Sequence, residues 1–254
     1  MKKIKIALTL AITVGASSAY ASDYHGNKGC YGLPSQADLD AALTAVVDSN
    51  SSAGLDNQMW GTIVNRDGVV CAVARTGKPG EQWPGSRVIS AQKANTANAF
   101  SLQGDVDGTG IALSTANLWA AVQPGGSLFG LQHSNPVDTK VAYRGNGRIW
   151  GTPRDPLVGK KIGGVNVFGG GVALYNSYGK LVGALGVSGD TSCTDHIVAW
   201  KTRDSLDLDT VPGGVSATGD DNMIVDPSNG FGHPDCGFGE AAIIADLPST
   251  NPVE

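Results

Sequence analysis

Apolar residues recur at two different spacings along the chain, and each spacing predicts a different element. In residues 33–50 leucine and valine recur every three or four positions behind a candidate N-cap, Ser35, which predicts an amphipathic helix. Residues 59–75 instead hold two β-branched runs on either side of the pair Asp67-Gly68. Because Asp-Gly readily adopts the backbone of a tight turn, this segment predicts a β-hairpin.

Three later segments extend the same pattern. Residues 86–102 contain neither glycine nor proline and are rich in alanine, which predicts a second helix packed closely on a sheet. Residues 165–189 hold two or three apolar runs that read as strands, and residues 191–206 read as a helix capped by Thr191 or Ser192. Strand hairpins flanked by helices, without a repeated βαβ rhythm, predict an α+β fold with a mainly antiparallel sheet.

The N-terminal segment predicts export. Residues 1–21 begin with lysines, continue through a short apolar run and end on Ala-Tyr-Ala, as a secretory signal peptide does. The expected location is therefore the periplasm or the extracellular space, after cleavage near Ala21. Residues 22–254 are expected to form a single domain, with a long irregular insertion at about 103–164 and a C-terminal extension from about 212.

Charge narrows the choice of partners. The formal net charge is -5, and removal of the three signal-peptide lysines brings it near -8. Such an acidic chain offers no electrostatic footprint for nucleic acid. Past the signal peptide, no segment has the roughly 20 uninterrupted apolar residues that a membrane helix needs, so membrane insertion is not expected.

Four cysteines in an exported chain predict two disulfides. Of the three possible pairings we favour Cys193 with Cys236 and Cys30 with Cys71, since each ties a terminal segment to a predicted core element. A metal site is not expected, because no two cysteines have the C-x-x-C spacing of a zinc half-site.

The stretch Gly186–Thr191, "GVSGDT", is the most suggestive for chemistry. It approaches the G-x-S-x-G nucleophile elbow, but Asp190 stands where the last glycine should be, so a turn and a helix cap are favoured over a catalytic serine. A glycine turn that leads into a helix N-terminus also attracts anions. Asp190 and Asp195 oppose that reading unless a cation or Lys93 offsets them.

The remaining candidate ligands are isolated. No two of the four histidines have i,i+4 spacing, and the chain lacks the C-x-x-C-H motif of covalent haem attachment. His196 stands next to the "GVSGDT" turn, and His133 lies in the irregular insertion. Residues 104–110, "GDVDGTG", lack the ligand set of an EF-hand and are expected to form a solvated turn.

Taken in order, several of these motifs resemble the GlcG/HbpS family, also described as a PduO/GlcC-like or haem-degrading domain. The family pattern is a hairpin with an Asp-x-Gly turn, a Lys-Ala-x-Thr-Ala helix, a Gly-Gly pair, a strand pair, a Gly-Val-Ser-Gly turn and a helix that starts with an acid. The matching positions are Asp67 and Gly68, Lys93 with Ala94, Thr96 and Ala97, Gly169 with Gly170, Gly186 to Gly189, and Asp195. The chain is thus similar to an exported member of this family that carries insertions.

The resemblance implies an antiparallel sheet flanked by helices, homo-oligomers, and haem as the cofactor. Carried onto this chain, it places a ligand near Lys93, Thr96, Ser188, Gly189, Asp190, Thr191 and Asp195. Candidate axial ligands of haem are His196 and His133, and candidate apolar walls for the porphyrin are Phe168, Trp150 and Trp119.

The leading hypothesis is therefore an exported haem-binding protein that handles haem or serves as a redox accessory. Some members of the family that the chain resembles degrade haem slowly, so the resemblance also implies a weak haem-degrading activity. The alternatives are a non-catalytic module that binds a small organic acid, or an enzyme acting on such a ligand. The sequence offers no complete acid–base pair for an enzyme, so a binding role is favoured.

Overall fold

A computed structural model describes residues 29–104 and 110–254 of the chain. The predicted signal peptide lies outside these residues. The described helices are α1 (Gln36–Asp48), α2 (Ser86–Phe100), α3 (Leu131–Ser134), α4 (Thr139–Ala142), α5 (Ser192–Asp204) and α6 (Glu240–Thr250). The strands are β1 (Trp60–Asn65), β2 (Val70–Arg75), β3 (Gly171–Tyr175) and β4 (Leu181–Ser188).

The four strands form one sheet in the order β2-β1-β4-β3, and every neighbouring pair is antiparallel. Gly68 adopts a φ of +74° in the turn between β1 and β2, which is the left-handed backbone that the Asp-Gly pair predicted. The prediction of an α+β fold with an antiparallel sheet flanked by helices is confirmed. Residues 165–170 do not join the sheet, so the later apolar runs supply two strands.

Helices cover both faces of the sheet. On one face α1 and α5 bury apolar side chains against it, including Leu39, Leu43 and Val198. On the other face α2 packs its alanines, including Ala91 and Ala94, against β1 and β4. The sheet is therefore buried on both sides, and its strands carry nearly continuous apolar residues.

The insertion is held to this core by buried polar contacts. Arg87 of α2 forms a buried ion pair with Asp155, donates a hydrogen bond to the carbonyl of Ala142 at 3.0 Å, and lies over the ring of Trp150. The insertion also contains two short 3-10 turns, Thr115–Leu118 and Ala120–Val122.

The C-terminal segment returns to α5. Arg203 and Asp221 form a buried two-pronged ion pair, with both nitrogen–oxygen distances at 2.8 Å. The segment also contains α6, which the sequence did not predict because Pro248 and the preceding glycines resemble a loop.

The disulfides join Cys30 to Cys71 and Cys193 to Cys236, the two pairings that the sequence favours. The second bond fastens the C-terminal segment to the start of α5. Within the described parts of the chain, no helix combines the length and the apolar character that a membrane span requires.

Candidate functional site

A cavity of about 280 Å³ opens where β4 ends and α5 begins, beside the first turns of α2. Larger hollows exist, such as one of about 490 Å³ between α1 and residues 205–207, but alanines and surface polar groups line that one. The smaller cavity combines aromatic side chains with a buried ion pair, so it is the better candidate site. Its lining residues are Trp83, Ser86, Ile89, Lys93, Phe168, Ser188, Asp190, Ser192 and Asp195.

An ion pair between Lys93 and Asp195 forms the floor of the cavity. The Nζ of Lys93 lies 2.6 Å from Oδ2 of Asp195, and both side chains are almost completely buried. Nζ also donates to the carbonyl of Val187 at 3.1 Å and approaches the hydroxyl of Ser188 at 3.5 Å. The three donors of the ammonium are therefore already engaged within the protein.

Burial shapes the charge state of this pair. It lowers the pKa of Lys93, and the neighbouring Asp195 carboxylate only partly opposes the change. Burial likewise raises the pKa of Asp195 to about 6, against the influence of the Lys93 ammonium. The Asp195 carboxylate is therefore mostly ionised at neutral pH and begins to take up a proton in mild acid.

The carboxylate of Asp190 holds the cavity wall together by hydrogen bonds to the backbone. Its oxygens accept hydrogen bonds from the backbone N–H groups of Leu55 at 2.8 Å and Asn57 at 2.9 Å. Its own backbone N–H donates to Asp195 at 2.9 Å. Asp190 thus ties the loop before β1 to the start of α5, which explains why an acid stands where a nucleophile elbow would have glycine.

Four of the seven predicted ligand-binding residues line the cavity: Lys93, Ser188, Asp190 and Asp195. The hydroxyl of Thr96 is bonded internally to the backbone of Gln92 and Asn166. A Cβ on Gly189 would lie 2.6 Å from the carbonyl of Gln58, so this glycine permits a close backbone approach. Thr191 caps α5 and donates to Glu240.

Both candidate axial histidines lie away from the cavity lining. His196 is completely buried, with its Nε2 at 3.1 Å from Asn222 and from the backbone N–H of Met223. Burial lowers its pKa to about 4, so the ring is neutral. His133 is exposed on the short helix α3. Among the described residues that line the cavity there is no histidine.

The predicted apolar wall is only partly present. Phe168 lines the cavity, whereas Trp150 stacks on Arg87 and Trp119 packs near His233.

Four residues of the cavity lining were not predicted from the sequence: Trp83, Ser86, Ile89 and Ser192. The sequence does contain an indication for Trp83. This residue lies between glycines and prolines just before a predicted helix, so no predicted strand or helix buries its large apolar side chain.

Comparison with known proteins decides the family. The family model described as "Haem degrading protein HbpS-like" matches residues 35–203, about two thirds of the chain. The chain belongs to the HbpS-like family of haem-degrading proteins. This match spans α1 through α5 and includes the insertion. No curated protein matches the chain at a significant level.

Several solved structures are similar to this member of the HbpS-like family. The PduOC:heme complex is 24% identical, with a TM-score of 0.45, and the match covers 68% of this chain and 91% of that one. The Klebsiella pneumoniae protein ORFY, a DUF336 protein, is also 24% identical, with a TM-score of 0.43 and coverages of 68% and 90%. A Streptomyces reticuli HbpS double mutant is 14% identical, with a TM-score of 0.42 and coverages of 78% and 99%.

The cavity offers an aromatic edge to the porphyrin of the haem that the family name implies, but at about 280 Å³ it can enclose only part of the macrocycle. Trp83 and Phe168 are 50% and 47% exposed, so two large aromatic side chains lie open to solvent in the same cavity. The hydroxyls of Ser86 and Ser188 lie in the same lining. The fit is to the ring and its polar edge, since the described lining contains no histidine, cysteine, methionine or tyrosine for the iron.

Proposed function

We propose that this protein binds haem in the cavity between α2 and the start of α5. The observation that carries the proposal is the pair of half-exposed aromatic side chains, Trp83 and Phe168, in the cavity lining of an HbpS-like chain. Covering their rings with a flat apolar macrocycle would remove this surface from water, which is favourable by about 25 cal/mol per Å² of apolar area.

The polar groups of the cavity divide into those that can contact haem and those that hold the floor. The hydroxyl of Ser86 can donate a hydrogen bond to a propionate. Lys93 and Asp195 are paired with each other, so their role is to fix the floor rather than to bind. Bound haem would supply the redox chemistry of iron, while the chain's own residues hold and orient the ring.

The charged groups on the cavity floor also disfavour the alternative ligand considered from the sequence, a small organic acid. A free carboxylate in the cavity would meet the carboxylates of Asp190 and Asp195, while the ammonium of Lys93 is already paired. A small acid would also leave Trp83 and Phe168 exposed. Haem differs because its ring contacts the aromatic residues while its propionates can reach the rim.

Export and self-association belong to the same proposal. Two disulfides in the folded chain suit an oxidising compartment, as the signal-peptide pattern of residues 1–21 does. The resemblance to the GlcG/HbpS family adds the expectation of a homo-oligomer. N-terminal sequencing of the exported protein should begin near Ser22, and light scattering should give a mass above that of one chain.

A haem titration followed by absorbance tests the binding site. The mature protein should bind haem saturably, and Phe168→Ala or Trp83→Ala should weaken binding by about tenfold or more, since each removes a large apolar contact. Tyr178→Ala is the matched control, because Tyr178 is 92% exposed in the turn at the opposite end of β4. Equal affinity in all four proteins would refute the site.

A further inference from the structure

A second group of chemically active side chains lies outside the cavity floor, around the disulfide between Cys193 and Cys236. The Sγ atoms of the two cysteines and a ring nitrogen of His233 all lie within 4.8 Å of one another. Cys193 and His233 are buried, and Cys236 is partly exposed. Two sulfurs and one imidazole nitrogen form a ligand set that zinc accepts in proteins.

His233 is arranged as a metal-binding histidine would be. Its Nδ1 lies 2.8 Å from the carbonyl of Pro234, so Nδ1 carries the proton and donates it there. Its Nε2 is buried and has no hydrogen-bond partner among the described residues. Histidines that bind metals characteristically donate the other ring N–H to a carbonyl or a carboxylate, which leaves the free lone pair for the ion.

A neighbouring aromatic side chain packs against this ring. The indole of Trp119 packs beside it, with ring centroids 5.9 Å apart. An unpartnered lone pair at a buried nitrogen is costly, and a metal ion held beside the two sulfurs would give it a partner.

The sulfurs are also placed where thiolates are stable. Cys193 is the second residue of α5, and its backbone N–H donates to Sγ of Cys236 at 3.2 Å. The hydroxyl of Ser192 lies 3.4 Å from the same sulfur. The N-terminal end of a helix favours negative charge, so a negatively charged ligand set suits this position.

We propose that reduction of the Cys193–Cys236 disulfide creates a Zn²⁺ site formed by the two thiolates and Nε2 of His233. A dithiol reductant would give up two electrons and two protons to yield two cysteine thiols and its own disulfide. One Zn²⁺ ion then displaces the two thiol protons, and water takes the fourth position. The redox state of this bond would thus decide whether the site exists.

The movement that metal binding requires is small. Tetrahedral zinc with Zn–S bonds of about 2.3 Å needs its two sulfurs about 3.8 Å apart, so the sulfurs must separate once the bond between them is broken. Cys193 is held by α5, whereas Cys236 lies in a loop followed by Gly237 and Gly239, both with positive φ. The loop can therefore take up the displacement.

Cobalt is the probe for the test, because Co²⁺ bound to thiolates gives a charge-transfer band. The whole mature protein is reduced with a phosphine, which competes weakly for the metal, and is titrated with Co²⁺ and then Zn²⁺. We expect one equivalent of Co²⁺ with a thiolate band in the reduced protein, displacement by Zn²⁺, and no band in the oxidised protein.

Variants separate this site from other thiols and histidines. His233→Asn should weaken Co²⁺ binding by more than about tenfold, since even outer-shell changes at metal sites cost that much, whereas His133→Asn should not. The double variant Cys30→Ser/Cys71→Ser should keep the band. Thermal melting of His233→Asn in the oxidised state, with both disulfides intact, checks that it folds.

Three results would overturn the proposal. One is a reduced protein without a thiolate band, including one that unfolds on reduction and is not refolded by Co²⁺. The second is equal affinity in His233→Asn and the parent. The third is a band that disappears with Cys30 and Cys71. None of these outcomes depends on whether haem binds in the neighbouring cavity.

Discussion

At the scale of single residues, the floor of the cavity is formed by two buried, oppositely charged side chains that pair with each other. Lys93 and Asp195 come from α2 and α5, and they meet on the cavity floor 2.6 Å apart. Sequence reasoning could select both residues from the family-like motifs. It could not show that they are paired, because the distance between α2 and α5 depends on how both helices pack on the sheet.

Removing both members of this pair should cost less stability than the sum of the losses on removing each alone. Asp195→Asn leaves the ammonium of Lys93 buried without its counter-charge, which typically costs about 3–5 kcal/mol. The double variant Lys93→Met/Asp195→Asn buries no charge at this place, so its loss should be well below the sum of the two single losses. Urea unfolding of the four proteins at pH 7 measures this, and additive losses would contradict the pairing.

His196 should make the fold sensitive to acid. Its pKa is about 4 in the folded protein and near 6.5 when unfolded, so between these values the unfolded state binds more protons. Stability from this residue is present above pH 6.5 and is lost as the pH falls towards 4. The stability gap between the parent and His196→Asn should shrink by about 3 kcal/mol from pH 7 to pH 4.

Unfolding of the two proteins at pH 7, 5.5 and 4 provides the test. Asp195 titrates in the same range, but it is present in both proteins and cancels in the difference. A gap that stays constant with pH would show that His196 is protonated or solvated in the folded state.

At the scale of elements, α2 is held unusually close to the sheet, and this closeness positions the cavity. A Cβ on Gly186 of β4 would lie within 3 Å of the backbone of Ser90 and Ala94 in α2. Glycine at this point therefore allows helix and strand backbones to touch. The sequence predicted the alanine-rich helix and its close packing, since small side chains favour such contact, but it gave no direct sign of where the contact occurs.

Gly186→Ala should displace α2 and so disturb the cavity. We expect a loss of stability of about 1–3 kcal/mol or more, because the neighbouring atoms are backbone and cannot rotate away. Haem affinity should fall as well, since Lys93 and Ile89 move with α2. Gly85→Ala is the control, because a Cβ there meets nothing within 4 Å. Equal stability of the two variants would contradict the close packing.

At the scale of the whole molecule, local patterns predicted the core well and the additions poorly. The hairpin around Asp67-Gly68 and the helix capped by Thr191 have short-range signals, and both appear in the structure. The insertion and the tail are held instead by distant pairs such as Arg87–Asp155 and Arg203–Asp221. No local pattern encodes such pairs. The helix α6 was missed for a local reason, because Pro248 and the glycines before the helix are typical of a loop.

The same distinction applies to the candidate site. Ser188 and Asp190 could be chosen from the "GVSGDT" turn, because that turn lies between a strand and a helix. Trp83 and Ile89 reach the cavity only because α2 crosses the sheet at this end. Its position next to the turn made His196 a candidate axial ligand, but its place on α5 directs its ring to Asn222 and Met223.

The central claim, that haem occupies the cavity between α2 and α5, is tested most directly by NMR of the mature protein with ferric haem. Paramagnetic iron broadens the amide signals nearest to it. We predict that Ser86, Ser188 and Ser192 broaden first, while Tyr178 at the far end of the sheet stays sharp. Broadening centred on another surface, or none at all at saturating haem, would contradict the account.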